Sequence, residues 1–286
     1  MLDKPAGLTS HDCVARVRRI FGMRRVGHGG TLDPAVTGVL PLALGPATRL
    51  LPYLKGDKAY EGAIQLGLQT DSDDLQGHTL AQRPVPELDP AQLEVALSAF
   101  RGPIEQRPPA VSAVHVQGER AYRRVQRGES LQLPSRPVTL HSLKLRRWDP
   151  RTSVLELELH CSAGTYVRAL ARDLGERLGC GGALAWLRRT AALGFTLAQA
   201  ITLEELEALE RPPLLDPLAA LGHVGRHALA PDDLISWRCG RSLADPLARP
   251  AGELVAVLDP LGSWAGIARA DGAGRLQPRL VLDAAG

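Results

Sequence analysis

Apolar residues recur at every second position in several stretches of the chain. One parity of residues 60–68 is Tyr, Gly, Ile, Leu and Leu, which predicts a strand. Residues 137–161 alternate in the same way on both sides of the turn sequence Asp-Pro-Arg, so they predict two consecutive strands. The run GVLPLALG, residues 38–45, predicts a short buried strand. Residues 103–118 are rich in Pro, Val and Ser and are interpreted as an extended loop.

Other stretches have the helical period, with apolar residues three or four positions apart. Two capping-box patterns and one Asp-Pro pair mark helix starts. An apolar helix face also follows the predicted strand that ends at residue 161, and we interpret the residues around Trp186 and Leu187 as another short helix. In chain order, the other predicted helices begin at Thr9, Asp89, Thr165 and Thr202, and the last one runs through Glu210.

The character of the sequence changes at Pro212–Pro213. Before this point predicted strands and helices interleave, which indicates an α/β (α+β) domain over residues 1–212. After it, short apolar runs separated by turn sequences such as Asp271–Gly272 predict a small β domain over residues 222–286. The sequence therefore favours a large domain followed by a small one.

The composition is that of a soluble globular protein, with 286 residues, 44% hydrophobic and 23% charged. No stretch approaches the roughly 20 apolar residues of a membrane span, and the first residues lack a signal-peptide pattern. We therefore expect a cytoplasmic protein without a membrane partner. The cysteines lack the spacing of metal ligands, so no metal site is expected. We expect buried thiols at Cys13, Cys161, Cys180 and Cys239.

The basic residues favour a nucleic-acid partner, although the net charge is only +3. Four of the 34 basic residues are Lys and the other 30 are Arg, which suits bidentate phosphate contacts or reflects a codon bias. They cluster in residues 16–25, 120–127 and 188–189, and the middle cluster includes Tyr122. Each cluster alone is typical of a solvated face, but the three together favour RNA or DNA.

Asp33 is the first candidate for chemistry. It lies in the sequence GHGGTLDP, residues 27–34, whose glycines let the backbone approach a ligand closely, and Pro34 favours an extended conformation at Asp33. A functional carboxylate fits this arrangement, and so does a tight turn in which Asp accepts backbone N–H bonds. His28, between two glycines, fits a catalytic base, a stacking ring or a solvated side chain.

A second candidate region is residues 161–179, CSAGTYVRALARDLGERLG, where a predicted strand turns into a helix. Sites commonly form at such corners, where Tyr166 and Arg168 lie. An Arg in the first turn opposes the helix dipole, so Arg168 either has a carboxylate or phosphate partner or packs its stem on the surface. Tyr60, at a strand start, fits a half-buried core residue or, less commonly, a stacking or proton-transfer residue.

These segments resemble the TruB family of tRNA pseudouridine synthases. They occur in the order and spacing of that family, and they cover the chain from residue 2 to about residue 210. The motifs are LDKPAGLTSHD (2–12), GHGGTLDPAVTGVLPLALGPATR (27–49), DKAY (57–60), LGLQTDSDDLQG (66–77), RGPIEQRPPAVSAV (101–114) and HCSAGTYVRALARDLGERLGCGGALAWLRR (160–189).

The resemblance implies an enzyme that isomerises uridine to pseudouridine at position 55 of tRNA, in the T-loop, with no cofactor or metal. Asp33 would be the catalytic aspartate, acting on a flipped-out base. It would attack the sugar, attack the base or abstract a ribose proton. The resemblance further implies that His28 fills the vacated space, Tyr60 stacks on the uracil, Arg168 pairs with Asp33 and with Asp74, and Tyr166 and Leu187 wall the pocket.

The family fold implied is a mixed-sheet α/β catalytic core followed by a small PUA-like β-barrel that holds the acceptor end of tRNA, in a monomer. The chain departs from the family pattern at Val111 and His115, where Tyr and Lys are usual, which questions one RNA contact. The sequence starts at the motif itself, so we expect a short edge strand or a start of the protein further upstream.

Three other functions are compatible with parts of the sequence. A non-catalytic tRNA-binding or folding protein would use the same basic clusters. A glycosidase-like enzyme would cut the N-glycosidic bond outright and would need a second carboxylate, which residues 71–74 could supply. A guide-RNA-dependent relative ranks lowest, because no extension for partner proteins is evident.

Overall fold

The computed structural model describes most of the chain as two compact units. The described residues are 1–112, 114–116, 118–129, 131–210 and 212–284, without the side chains of His115, Val116, Arg120, Tyr122 and Gln126. The expectations for His115, Arg120 and Tyr122 therefore lie outside the described side chains. The first unit comprises Met1–Arg16, Gly30–Pro41 and Gly56–Leu206, and the second comprises Val17–Gly29, Leu42–Lys55 and Glu207–Gly286.

The strands are numbered in chain order. They are β1 (Leu2–Lys4), β2 (Val26–His28), β3 (Thr37–Leu40), β4 (Leu42–Leu44), β5 (Lys58–Leu66), β6 (Leu68–Thr70), β7 (Thr79–Gln82), β8 (Gly102–Gln106), β9 (His115–Val116), β10 (Glu119–Arg120), β11 (Arg136–Asp149), β12 (Val154–Cys161), β13 (Gly182–Ala192), β14 (Phe195–Thr196), β15 (Gly225–Ala228), β16 (Leu243–Ala244), β17 (Leu254–Leu258), β18 (Trp264–Ala270) and β19 (Arg275–Val281).

Four of the six described α-helices begin close to the predicted start signals, and the helices Ala121–Gln126 and Asp233–Arg238 were not predicted. Reciprocal side-chain bonds form the capping boxes of Thr9 with Asp12, Asp89 with Gln92 and Thr202 with Glu205. No helix in the described ranges is long and apolar enough to cross a membrane. The α-helices are α1 (Ser10–Ile20), α2 (Pro90–Ser98), α3 (Ala121–Gln126), α4 (Val167–Arg177), α5 (Leu203–Ala208) and α6 (Asp233–Arg238), and 3-10 helices span Gly45–Tyr53, Leu197–Gln199 and Pro217–Leu221.

The first unit is built on a mixed eight-stranded sheet. Its order is β1-β3-β13-β5-β12-β11-β8, with β14 paired to β13, and only the β13–β3 pair is parallel among its described neighbours. Leu155, Leu157 and Leu159 of β12 are buried, whereas the glutamates between them are half-buried. The two-residue period thus identifies the core face, as predicted.

Helix α4 lies against β13 with almost no space between the two backbones. A Cβ added to Gly175 of α4 would come 2.0 Å from the backbone nitrogen of Gly182, which no side chain tolerates. A glycine is needed here for this close approach. The contact fixes the height of the whole helix, including its first turn, above the sheet.

The second unit contains a five-stranded sheet of order β15-β17-β18-β19-β16. The three apolar runs predicted as strands form β17, β18 and β19. Trp237 of α6 is fully buried beneath them and donates its Nε1–H to the carbonyl of Ala265 over 3.1 Å. Leu50, far earlier in the chain, packs in a cluster with Leu218 and Ile267 of the same unit. The domain limits 1–212 and 222–286 stay a prediction.

Several local predictions were wrong. Trp186 and Leu187 lie in strand β13 rather than in a helix, because β13 is hydrogen-bonded on both sides, to β5 and to β3. Residues 102–106 form edge strand β8 instead of a loop, and an edge strand accommodates Pro103. Residues 38–45 form two strands of different sheets, and Cys239 is exposed.

Candidate active site

A cavity of about 240 Å³ opens in the first unit beside Asp33. The loop that carries Asp33, the start of β5 and the start of α4 meet at this cavity. It is small compared with the roughly 300–1,000 Å³ of sites for drug-sized ligands, and it is large enough to hold a flat ring such as a nucleobase. Its lining includes the apolar side chains of Val36, Leu184 and Leu187 and the polar side chains of Asp33, Lys58, Tyr60, Tyr166 and Arg168.

Asp33 and Arg168 form an ion pair at the wall of this cavity. Arg168 Nε lies 3.0 Å from Asp33 Oδ2, and the Asp33 side chain is 42% exposed whereas that of Arg168 is 8% exposed. Arg168 lies in the first turn of α4, where its charge opposes the helix dipole. This position left open a carboxylate partner, a phosphate partner or a surface location, and the structure shows the carboxylate partner. The cation is buried while its carboxylate stays accessible.

Among the described residues, three further groups contact the Arg168 guanidinium, and a fourth holds Asp74, which is one of the three. Asp74 Oδ2 lies 3.7 Å from Arg168 Nε, and the Asp74 side chain is 17% exposed. Arg168 Nη1 donates to the Ser72 carbonyl over 2.9 Å, and Nη2 donates to the Val111 carbonyl over 3.0 Å. Asp74 itself accepts from the Ser72 hydroxyl over 2.6 Å. Arg168 therefore has one orientation, and it presents Nε to Asp33.

Two fully buried cations hold the backbone of the Asp33 loop. Lys4 Nζ donates to the carbonyls of Pro5, Leu8 and Pro34 over 2.8, 2.7 and 3.1 Å. Arg189 donates from Nε to the Val39 carbonyl over 2.7 Å and from Nη2 to the Gly30 carbonyl over 3.0 Å. Burial lowers the pKa of both side chains. The assignment of Arg189 to a basic surface was wrong, because this side chain supports the loop from inside.

Ser10 adds a third support to the loop. Its hydroxyl donates to the Leu32 carbonyl over 3.1 Å and accepts the Leu32 N–H over 2.8 Å. Sequence reasoning assigned no role to Lys4 or Ser10, and it placed Arg189 in a basic cluster instead of beneath the loop. The only signal was indirect, since Lys4 and Ser10 lie in the motif LDKPAGLTSHD. The loop is rich in glycine, yet its backbone is held next to Asp33 on both sides.

Tyr60 lies on β5 and is buried, with 5% of its surface exposed. Burial raises the pKa of Tyr60 to about 12, and the nearby Arg189 guanidinium offsets only part of this rise. The hydroxyl therefore carries its proton throughout the neutral range. Lys58, two residues earlier on the same strand, also lines the cavity, and burial lowers its pKa.

Tyr166 and Leu187 line the cavity from two different elements, the start of α4 and strand β13. Tyr166 precedes α4 and is half-buried, and Gln106 fixes its backbone by accepting its N–H over 2.8 Å and donating to its carbonyl over 3.1 Å. Leu187 of β13 is buried beside Gly62 of β5. Thus Asp33, Tyr60, Tyr166, Arg168 and Leu187 line one cavity, with Asp74 next to it.

His28 is the last residue of the short strand β2, which pairs with β4 in the second unit. The sequence had placed it in a loop. No group of three or more His, Cys, Asp or Glu side chains that could hold a metal occurs among the described residues. The chemistry that the cavity offers is that of an exposed carboxylate, a buried guanidinium and a neutral phenol.

Comparison with known proteins assigns the chain to a family. The model of the TruB family pseudouridylate synthase N-terminal domain matches residues 18–167, and that of the tRNA pseudouridylate synthase B C-terminal domain matches residues 168–217. The chain belongs to the TruB family. The resemblance noted in the sequence is confirmed, and with it the expected enzyme class, a tRNA pseudouridine synthase.

Relatives named tRNA pseudouridine synthase B align with the whole chain. A tRNA pseudouridine synthase B of Parasynechococcus marenigrum (strain WH8102) is 61% identical over 287 residues, which span 100% of this chain and 97% of the relative. The protein of that name from Synechococcus sp. (strain WH7803) is 56% identical and covers 100% and 97%. These TruB-family relatives therefore match both compact units of the chain.

Solved structures show that the TruB-family fold is shared more widely. A chain of a Cbf5-Nop10-Gar1 complex superposes with a TM-score of 0.73 at 24% identity, covering 98% of this chain and 82% of that one. A chain of an H/ACA RNP bound to a substrate RNA containing 2′-deoxyuridine gives a TM-score of 0.72 at 23% identity, covering 98% and 83%. These likenesses show that this chain shares its fold with the two solved chains, and the mixed sheet agrees with the α/β core expected from the sequence.

Proposed function

We propose that this enzyme converts uridine to pseudouridine at position 55 of tRNA, in the T-loop, with Asp33 as its catalytic residue. The ion pair with Arg168 carries the proposal, because it fixes an accessible carboxylate at the edge of a cavity large enough to hold a nucleobase. The names of the relatives supply tRNA as the substrate. The position within tRNA rests on the sequence motifs that resemble the family.

A uridine inside a folded T-loop must leave its stack before the cavity can receive it. Tyr60 would stack on the extruded uracil, while Tyr166 and Leu187 would confine it between α4 and β13. His28 would fill the space that the base vacates. An aromatic face binds any base, so the selection of uridine would depend on the polar groups of the cavity.

The reaction breaks the bond between C1′ and N1, turns the uracil and joins C1′ to C5. The proton of C5 is released to solvent and N1 takes up a proton, so the product has the same mass as the substrate. Asp33 would begin it by attack on C1′, by attack on the base or by removal of a ribose proton. Arg168 would aim Oδ2 at the nucleotide, and Asp74 would keep Arg168 in place. The last step removes the proton of C5 and needs a proton acceptor. Tyr60 carries its own proton at neutral pH, so its hydroxyl would act as a relay, accepting the C5 proton on its oxygen while it gives its own proton to water.

The five-stranded sheet of the second unit supports a role in holding tRNA. We assign residues 222–286 to a PUA-like domain that binds the acceptor end, and residues 1–212 to the catalytic domain. The enzyme would act in the cytoplasm as a monomer on the T-arm of tRNA, without a cofactor or metal.

Tritium release tests this proposal, because isomerisation exchanges the hydrogen at C5 but leaves the mass unchanged. The substrate is an unmodified tRNA transcript labelled with tritium at C5 of every uridine, in buffer with a chelator. The matched transcript has cytidine at position 55. We expect release equivalent to one uridine per tRNA from the first transcript and none from the second. Equal release from both would contradict the position, and release from neither would contradict the activity.

A further inference from the structure

A second buried ion pair lies one helical turn beyond Arg168 on α4. Arg172 Nη1 is 2.9 Å from Asp73 Oδ2, and the two side chains are 10% and 13% exposed. Arg172 Nη2 also lies 2.8 Å from Asp173 Oδ1 and donates to the Arg107 carbonyl over 2.8 Å. None of these atoms lies on the cavity wall, so the pair has no direct contact with a bound nucleotide.

The two arginines of α4 bind the same two segments of the chain. Arg168 contacts the Ser72 carbonyl and the carboxylate of Asp74, and Arg172 contacts the residue between them, Asp73. Arg168 also contacts the Val111 carbonyl, and Arg172 contacts the Arg107 carbonyl in the same connection after β8. Since the residues are four apart, both guanidinium groups project from one face of the helix.

Asp73 needs such a restraint because its backbone is unusual. Its φ of 61° lies in the left-handed region, which residues other than glycine adopt at a cost. The Asp73 carbonyl accepts the N–H of Leu184 on β13 over 2.9 Å, so the backbone is tied to the sheet at this residue. The sharp turn at Asp73 is therefore held at two points, by its carbonyl on β13 and by its carboxylate on Arg172. From this turn Asp74 and the Ser72 carbonyl contact Arg168.

We propose that Arg172 and Asp73 form a positioning pair that holds the 72–74 turn, and through it Arg168, in the orientation that aims Asp33 at the nucleotide. This inference rests on the proposed catalytic role of Asp33. The pair acts through Arg168 and touches neither the substrate nor the reacting atoms. Its loss would leave tRNA binding intact and slow the chemical step.

The decisive variant is Asp73→Asn in the full-length protein. Asn keeps the shape of the side chain and tolerates positive φ at least as well as Asp, so only the charge is lost. We expect the single-turnover rate of tritium release from tRNA to fall roughly 10- to 100-fold, as for other small misplacements of reacting groups, with little change in the Kd for tRNA. Arg172→Gln should give a similar loss, and the double variant should be no slower than the slower single one.

Two controls separate positioning from a general loss of structure. The pair Arg249–Asp245 of the second unit is equally buried, with side chains 8% and 1% exposed. The Asp245 side chain is 1% exposed and cannot itself contact tRNA, so Asp245→Asn should lower the melting temperature and leave the single-turnover rate at saturating enzyme unchanged. Arg172→Lys keeps the charge but cannot make the forked contacts, so it should recover only part of the rate that Arg172→Gln loses. All rates are measured at a temperature at which circular dichroism shows each variant folded.

The outcomes distinguish this inference from the proposal on which it rests. If Asp33→Asn is inactive while Asp73→Asn and Arg172→Gln are as fast as the wild type, the positioning role is overturned and the function stands. If their losses follow the unfolded fraction, or Asp245→Asn loses as much, the pair is only structural and the inference fails. If Asp33→Asn retains the wild-type rate, the catalytic assignment fails, and with it the positioning role.

Discussion

The side chains of the cavity differ in their exposure to solvent, and for Tyr60 burial determines the protonation state. The Asp33 side chain is accessible, whereas the Tyr60 ring is buried beside the Arg189 guanidinium. Burial penalises the phenolate, so Tyr60 holds its proton to far higher pH than a tyrosine in water. The cavity therefore presents a neutral hydroxyl beside the accessible carboxylate.

Tyr60 should make the stability of the protein fall at high pH. Its pKa is about 12 in the folded state against 10 in the unfolded state, so its contribution is fully present below pH 10 and is lost as the pH rises toward 12. The loss should approach about 2–3 kcal/mol at pH 12. Urea unfolding at pH 9 and pH 11.5 measures it. Tyr60→Phe should lose correspondingly less stability between these two pH values, and an equal loss in both proteins would contradict the burial of this hydroxyl.

The sequence and the family resemblance identified five residues of the cavity wall, Asp33, Tyr60, Tyr166, Arg168 and Leu187. They missed Lys58 on the same wall and the residues that support it. The place of Arg168 in the first turn of a helix predicted either an anionic partner or a surface location, and only the family resemblance named Asp33 as the partner. Arg189 could not be distinguished from the other 29 arginines, since only the tertiary pairing of β13 turns it inward. The same holds for Lys4 and Ser10, whose partners are backbone carbonyls and N–H groups distant in sequence.

At the level of elements, the start signals of helices were readable and the central strand was not. Capping boxes are local, so α1, α2 and α5 begin where the sequence indicates. Strand β13 is buried between two neighbours and shows register shifts against β5, so its apolar residues do not alternate cleanly. A helix and a strand are hard to distinguish in such a run.

The close packing of α4 on β13 predicts the effect of a methyl group. Gly175→Ala should lower the free energy of unfolding by about 1–3 kcal/mol, because the added Cβ would overlap the backbone at Gly182. It should also slow catalysis by lifting the first turn of α4 with Arg168. The matched control is Gly222→Ala, where φ is −60° and no atom lies within 4 Å of the added Cβ, and stability should be unchanged or slightly higher. Urea denaturation of both variants measures the difference, and equal stabilities would contradict the packing.

At the scale of the whole molecule, each of the two compact units is built from three separate segments of the sequence. Residues 17–29 and 42–55 belong to the same unit as the C-terminal sheet, although they flank the loop of Asp33 in sequence. The change of character at Pro212–Pro213 lies a few residues after the last boundary between the units, which falls between Leu206 and Glu207. The earlier boundaries leave no mark in composition, because they depend on contacts such as that of Leu50 with Ile267.

Binding of tRNA should depend steeply on salt, since contacts with phosphates release counterions. Arg24 and Arg25 are exposed and belong to one of the predicted basic clusters. Replacing both with Ala should reduce the slope of log K against log salt by roughly 1–2 if each contacts a phosphate. Filter binding between 50 and about 200 mM salt measures the slopes.

The matched control for this charge change is the pair Arg146→Ala and Arg147→Ala. Both arginines are exposed on β11, where they face Glu158 and Glu156 of β12. Their removal should leave the salt dependence unchanged. A wild-type affinity that does not vary with salt would contradict the assignment of the basic clusters to tRNA.

The measurement that tests the account most directly is single-turnover tritium release by Asp33→Asn. Its matched control is Asp89→Asn, because Asn caps a helix as well as Asp does and α2 should be unaffected. The account predicts that Asp89→Asn releases tritium at the wild-type rate, whereas Asp33→Asn binds tRNA with unchanged affinity and releases none above background. Release by Asp33→Asn at the wild-type rate would show that another group performs the chemistry, and the account of the site would be wrong.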